Sequence, residues 1–230
     1  MEQALIGVAI IVFFTRKSTV SEQWLKINEA EANYLQNKLD KFYGPFTVAS
    51  EANYLLAQDL RSRQPIPDGY RLLDKLFDAK WREDLPAGDR ELVREICETG
   101  ERLSTLIKKN IGLVDPKIIP YIARSVAHFR ILKLAYDQKL GDNSSPFLRY
   151  VYPHQLDSVL KLELERLQRR VMLLRKEPTK SHGEMVQLDL SAHELLPWNG
   201  PDGPNAYRNS GKSLNQGGSS STDLTIKASS

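Results

Sequence analysis

Four histidines, one cysteine and a Gly-Lys-Ser triplet are the residues of this chain with the most chemical potential, and their spacing decides what they could do. His128, His154, His182 and His193 form no His-xxx-His and no His-Glu-xx-His pair, and Cys97 is the single thiol. No zinc-type ligand set is spelled out, so neither a metal nor a cofactor is expected. The stretch Ala206-Tyr-Arg-Asn-Ser-Gly211-Lys212-Ser213 satisfies a permissive phosphate-loop pattern. A phosphate loop joins a buried strand to a helix whose N-terminus faces the phosphates. Neither Asn199-Gly-Pro-Asp-Gly-Pro-Asn205 before it nor Leu214-Asn-Gln-Gly-Gly218 after it can build that scaffold. The match is a coincidence of composition.

Two polar and aromatic clusters remain. Tyr121, Ser125 and His128, at spacings of four and three, share one side of a helix. Tyr150, Tyr152 and His154 form a second group, with Asp157 one turn past His154. Hydrogen-bonded histidines at helix interfaces, capping and packing explain both without chemistry. Ser125 also lacks the strand-to-helix turn that exposes a hydrolase nucleophile. No catalytic role is assigned, and these six side chains stand as a candidate pocket for a small molecule or, alternatively, an enzyme site. Arg166, Arg169, Arg170, Arg175 and Lys176 make the one basic run. They scatter around a helical wheel, and Glu165 and Arg169 are a favourable i,i+4 pair, so a solvated helix is expected and nucleic acid is not. Polyanion binding through residues 153–176 is the weaker alternative.

The elements that must position these residues read as helices, since no stretch shows sustained period-two alternation. Expected helices run from 19 to 42, closed by Gly44-Pro45, from about 48 to 63, and from about 70 to 81 after the Gln64-Pro-Ile-Pro-Asp-Gly69 breaker. A fourth is capped by Asp89 and stopped by Gly112; its Leu92, Ile96, Gly100, Leu103 and Ile107 fall within about 80° of arc. The fifth starts at Asp115-Pro116, or a turn later because of Pro120, and runs to about Leu140; its all-round apolar character marks it as central. Pro153 opens a sixth, to about Lys176, with a stripe of Leu156, Leu160, Leu164, Leu167, Val171 and Leu174. Glu31-Ala-Asn-Tyr-Leu35 recurs as Glu51-Ala-Asn-Tyr-Leu55, too few copies for a solenoid and at most two similar helices facing a common partner.

The first fifteen residues stand apart from a chain of mean hydropathy −0.42. Ala4 to Phe14 is uninterrupted apolar, including Leu5, Ile6, Val8, Ile10, Ile11, Val12, Phe13 and Phe14, and Arg16 and Lys17 follow. A signal peptide would carry a basic start and a small-residue cleavage site, both missing here. A buried helix of a small domain would keep a polar face. The reading left is a short single-pass membrane anchor, about 22 Å long against about 30 Å of hydrocarbon, which either thins the bilayer or lacks residues upstream. The Arg16-Lys17 flank places the N-terminus outside and the following domain in the cytoplasm. With 230 residues and a single cysteine a disulfide scaffold is excluded, and a net charge of +3 does not by itself imply a polyanion partner.

The expected organisation is all-α: an anchor over residues 1–17, a cytoplasmic bundle of about six helices over 18–177, a linker over 178–198, and a disordered tail over 199–230 rich in Gly, Ser, Asn and Pro. In the linker, Met185 to Leu190, the capping pattern Ser191-Ala-His-Glu194 and Leu195-Leu-Pro-Trp198 form a short docking segment. The function expected is a membrane-tethered interaction or scaffold module without catalysis. Its expected partners are the lipid bilayer and a protein, either a different one or a further copy of this chain.

Overall fold

The computed structural model describes residues 2–64, 71–147 and 149–195, with backbone alone for residues 2–18. Every regular element among the described residues is helical. The long helices are α1 (Glu2–Lys38), α2 (Gly44–Ser62), α5 (Ala87–Asn110), α6 (Ile119–Tyr136) and α7 (Gln155–Lys176); the short α3 (Leu72–Lys75) and α4 (Ala79–Asp84) sit between α2 and α5. The all-α bundle read from the sequence is the observed class. The expected tail, residues 199–230, and Leu196-Pro-Trp198 lie outside the described residues.

Among the described residues no helix is long and apolar enough to cross a membrane. The expected transmembrane character of the first helix therefore finds no support in the fold. α1 has 37 residues, but its uninterrupted apolar run, Ala4 to Phe14, ends in Arg16-Lys17 after roughly 16 Å of rise. The side chains of that run lie outside the described residues.

Gly44-Pro45 does not end the first helix. Leu39–Tyr43 form a π turn, and the Gly44 N–H bonds the Leu39 carbonyl, so the chain enters α2 without leaving helical conformation. Pro45 falls in the first turn of α2, where its missing N–H costs nothing. A Cβ on residue 44 would meet the Leu39 oxygen at 3.0 Å, which is why glycine closes the turn. The expected helix over 70–81 is two single-turn pieces, because Asp78 leaves helical φ/ψ and its carboxylate caps α4 by accepting the Trp81 N–H at 3.0 Å. α5 begins at Ala87 with Pro86, not Asp89, at the N-cap position, and Asp89, buried in the first turn, pairs with Arg63 at 3.1 Å. Asp115 does cap the next segment, taking the Lys117 N–H at 3.0 Å, and Pro120 sits in the first turn of α6. α6 is not enclosed on all sides: it buries Tyr121, Ile122, Ser125, Phe129, Leu132 and Ala135 while Ile119 is exposed.

The core divides into two clusters. The larger gathers Leu35, Phe42, Tyr43 and Phe46 from α1 to α2, Leu103 and Ile107 from α5, Ile118 and Ile122, and the α7 stripe Leu156, Leu160, Leu167, Val171 and Leu174. The smaller holds Leu60, Leu73, Leu76, Val93, Ile96, Cys97, Leu132 and Ala135. The repeat is not a pair of equivalent faces, since Leu35 is 3% exposed and Leu55 is 55% exposed. After α7 the chain returns along the bundle. Asn28, itself buried, donates to the carbonyls of Pro178 (2.7 Å) and Lys180 (2.8 Å), and Leu188 is buried in the larger cluster with Met185, Leu190 and Leu195 packed beside it. Ser191–His193 make only a 3-10 turn with no side-chain cap, so the Ser-Ala-His-Glu pattern starts no α-helix.

Candidate functional site

Two of the five residues of the basic run on α7, Arg166 and Arg170, are engaged within the chain. Arg166 forks onto the fully buried Glu163 (2.6 and 2.9 Å), reaches Asp115 (3.2 Å) and donates to the Val186 carbonyl (2.8 Å). Arg170 forks onto Glu31 (2.8 and 3.0 Å) and donates to the Gly183 carbonyl (2.8 Å). Both guanidiniums are spent on fixing α7 to α1 and to the returning C-terminal segment. The solvated face expected from the sequence does not include them.

The six candidate pocket residues separate. Tyr121 donates its hydroxyl to the His193 carbonyl at 2.8 Å and thereby holds the C-terminal segment. Ser125 is fully buried and donates to the Ile122 carbonyl one turn back at 2.8 Å, a bond that satisfies the hydroxyl without involving His128. His128, Tyr150, Tyr152 and His154 come together at a cavity of about 300 Å³. The two groups seen in sequence thus meet through His128 alone.

This cavity lies at the seam of the two core clusters, between α2, α6, the start of α3 and the N-terminal end of α7. Its apolar wall is Leu60, Leu73, Ile96, Phe129 and Leu132. Its rim carries Arg61 from α2, Arg71 before α3, and Asp157 and His154 at α7. The aromatic connector supplies the remaining side. The Tyr152 ring stands edge-on to His128 (5.9 Å between centroids) and 5.7 Å from Phe129. Sequence reasoning missed the α2 contribution altogether. Ser50, Asn53, Ala57 and Arg61 follow a three- and four-residue spacing, and that shared helix face was the available signal.

Polar geometry inside the cavity is specific. His128 Nδ1 lies 2.7 Å from the Tyr150 carbonyl. A carbonyl can only accept, so Nδ1 carries the proton and Nε2 keeps its lone pair. Burial holds the ring far below the ordinary histidine value, at about 4, despite the Tyr150 bond that favours the proton, so the ring is neutral at physiological pH. Tyr152 donates to Asp157 Oδ1 at 2.8 Å, and Ser50 donates to the same oxygen at 3.2 Å. Desolvation pushes the Tyr152 phenol well above its usual range and raises the Asp157 carboxyl against those two bonds. Asn53 lines the cavity, and its amide oxygen is buried with no hydrogen-bond partner.

The hydroxyls of Tyr152 and Ser50 are both held by the one carboxylate of Asp157. Among the described residues no three His, Cys, Asp or Glu side chains gather as a metal set. Cys97 is buried in the smaller cluster, where desolvation pushes its thiol to about 12 and makes it a packing residue. Comparison with protein-family models, curated proteins and solved structures finds no match to this chain.

Proposed function

We propose that the chain is a membrane-tethered helical interaction module that binds and does not catalyse. The observation that carries this reading is the form of α1. Its backbone runs as one helix from Glu2 to Lys38, and among its residues 19–38 the first to be buried in the bundle is Asn28. The apolar run and its Arg16-Lys17 flank are thus continuous in backbone helix with the segment that enters the bundle, which is what a tether needs. At about 16 Å the run is short for the hydrocarbon layer, and the mismatch is met by local thinning or shallow seating at modest cost. The basic flank then keeps the bundle on the cytoplasmic side.

The same extension supplies a partner face. Val20, Ile27 and Tyr34 recur every seven residues and are 49%, 52% and 54% exposed. Two chains anchored in one bilayer present α1 in parallel and in register, which is the arrangement a seven-residue repeat serves. The occupant of this face is a second copy.

Detergent-free fractionation of the full chain tests the tether. The expected result is recovery in the membrane pellet after a high-salt wash, and loss to the soluble pool when residues 1–17 are removed. A full-length chain that stays in the soluble pool overturns the reading.

A further inference from the structure

We propose that the face of the bundle under residues 178–195, built from α1, α7 and the start of α6, binds an extended peptide of a partner protein, and that the chain's own segment is the resident competitor. The peptide it fits carries Met or Leu side chains at the spacing of Met185, Leu188 and Leu190. The inference is independent of the tether and of contact between copies through α1.

The first observation is what this face reads. Asn28 donates to the carbonyls of Pro178 and Lys180, Arg170 Nη1 to that of Gly183, and Arg166 Nη1 to that of Val186. Lys117 Nζ donates to the Leu188 carbonyl at 2.8 Å, and the Tyr121 hydroxyl to that of His193. In each bond the acceptor is main chain, a group that every peptide carries. Main-chain bonds for affinity and apolar pockets for selectivity are how extended peptides are recognised. Second, the two arginines are held by partners other than the segment. Glu31 takes Nε and Nη2 of Arg170; Glu163 takes the same two nitrogens of Arg166, with Asp115 also on Nη2. Each guanidinium is thereby fixed with Nη1 turned to the segment, a preorganisation that outlasts the occupant. Third, the segment is lightly attached. From residue 181 to 195 it forms nothing more regular than the Ser191–His193 turn. Of its side chains only that of Leu188 is buried, Met185, Leu190 and Leu195 pack in part, and Val186 is 80% exposed. So little burial barely offsets the entropy of ordering an extended stretch, which makes this the part of the bundle that opens first. A second copy keeps its own segment seated, so the incoming peptide has to come from another protein.

The test uses the full chain in detergent micelles, with a fluorescent peptide of the sequence 178–195 as probe and polarisation as readout. A tethered segment has an effective concentration in the millimolar range, so wild type should bind the probe weakly. Leu188→Asp in the chain ejects the resident and should raise probe affinity by about tenfold or more. Leu188→Ala removes the same anchor without adding a charge and should act in the same direction. Asn28→Ala, added to either opened chain, should weaken the probe by about tenfold, the scale of its two bonds. A probe that keeps Met185, Leu188, Leu190, Leu195 and its proline and glycine, with serine elsewhere, should bind as well as the original, and a probe carrying Leu188→Asp should not bind. Failure of the probe to bind either opened chain overturns the proposal, as does loss of binding by the serine-substituted probe or indifference to Asn28→Ala. Opened chains that lose their helical circular dichroism would make the segment part of the core and overturn it too. A complex of opened chain with wild type that the probe competes away would make a second copy the occupant and overturn the assignment to another protein.

Discussion

Gly100 is where α5 and α6 approach most closely among the glycines of the bundle, and Gly100→Ala tests the packing that shapes the cavity. A Cβ on residue 100 would lie 2.8 Å from Phe129 Cδ1, 3.2 Å from Cγ and 3.4 Å from Cβ. The first distance is well inside contact, so either the ring or the helix must move. Two opposed terms set the magnitude. Alanine in a helix interior is favoured over glycine by about 1 kcal/mol. Overpacking a filled core costs about 1–3 kcal/mol. Phe129 is 4% exposed, but one side of its ring borders the cavity, so it can yield in that direction and keep the cost near the middle of that range. The expected net loss is about 1 kcal/mol, which lowers the thermal midpoint by about 2–4 °C for a domain of this size. Urea unfolding followed by circular dichroism gives the free energy directly, with an unchanged m-value. The double variant Gly100→Ala with Phe129→Leu removes the clashing ring atoms and should lose less than the two single variants together. A Gly100→Ala protein more stable than wild type by the full helix-propensity gain, with Phe129 in place, would refute the close-contact reasoning.

Other outcomes follow from the same geometry. His128 titrates at about 4 in the folded chain against an ordinary 6.5, so the folded form declines a proton that the unfolded form accepts; stability is full above pH 6.5 and falls by roughly 3 kcal/mol toward pH 4 from this group, and His128→Phe should flatten that part of the urea-midpoint profile. Glu163 is fully buried beneath Arg166, and Glu163→Ala leaves that guanidinium short of its partner, so a loss of about 3–5 kcal/mol is expected by urea unfolding, with Glu163→Met plus Arg166→Met losing less. Asn28→Ala removes both bonds to the chain beyond α7 and should cost about 1–3 kcal/mol while speeding amide exchange over residues 177–190 before the rest of the bundle. Ile27→Cys should crosslink to its own copy under mild oxidation in membranes, since Cys97 is buried, and a chain that stays monomeric there would remove α1 as the self-association face.

Much of the bundle was legible because helices announce themselves locally. The α7 stripe and the α5 arc follow from period alone, and both are buried apart from Leu164 and Leu92, which are half-buried. Boundaries were less legible where the deciding bond is local but unusual. Gly44-Pro45 reads as a stop, and only the π turn, with its Gly44 N–H to Leu39 carbonyl bond, lets the helix continue. Half of the candidate cavity was visible as well. Tyr150, Tyr152 and His154 lie close in sequence, and their grouping needs no tertiary knowledge. Their union with His128, and the face of α2 that closes the cavity, could not be read, because neither is a short-range fact.

The chain by itself determined its class, the helical faces and the lone apolar run ahead of Arg16-Lys17, since composition and a 3.6-residue period act without reference to distant residues. Tertiary structure alone decided which charges are spent. Arg166 and Arg170 look like a solvated basic run until Glu163, Asp115 and Glu31 are brought beside them from other helices and other turns. It also decided that Ser125 is a buried helix hydroxyl while His128 faces a cavity. Both sit on α6, and what separates them is which of the neighbouring helices each one meets.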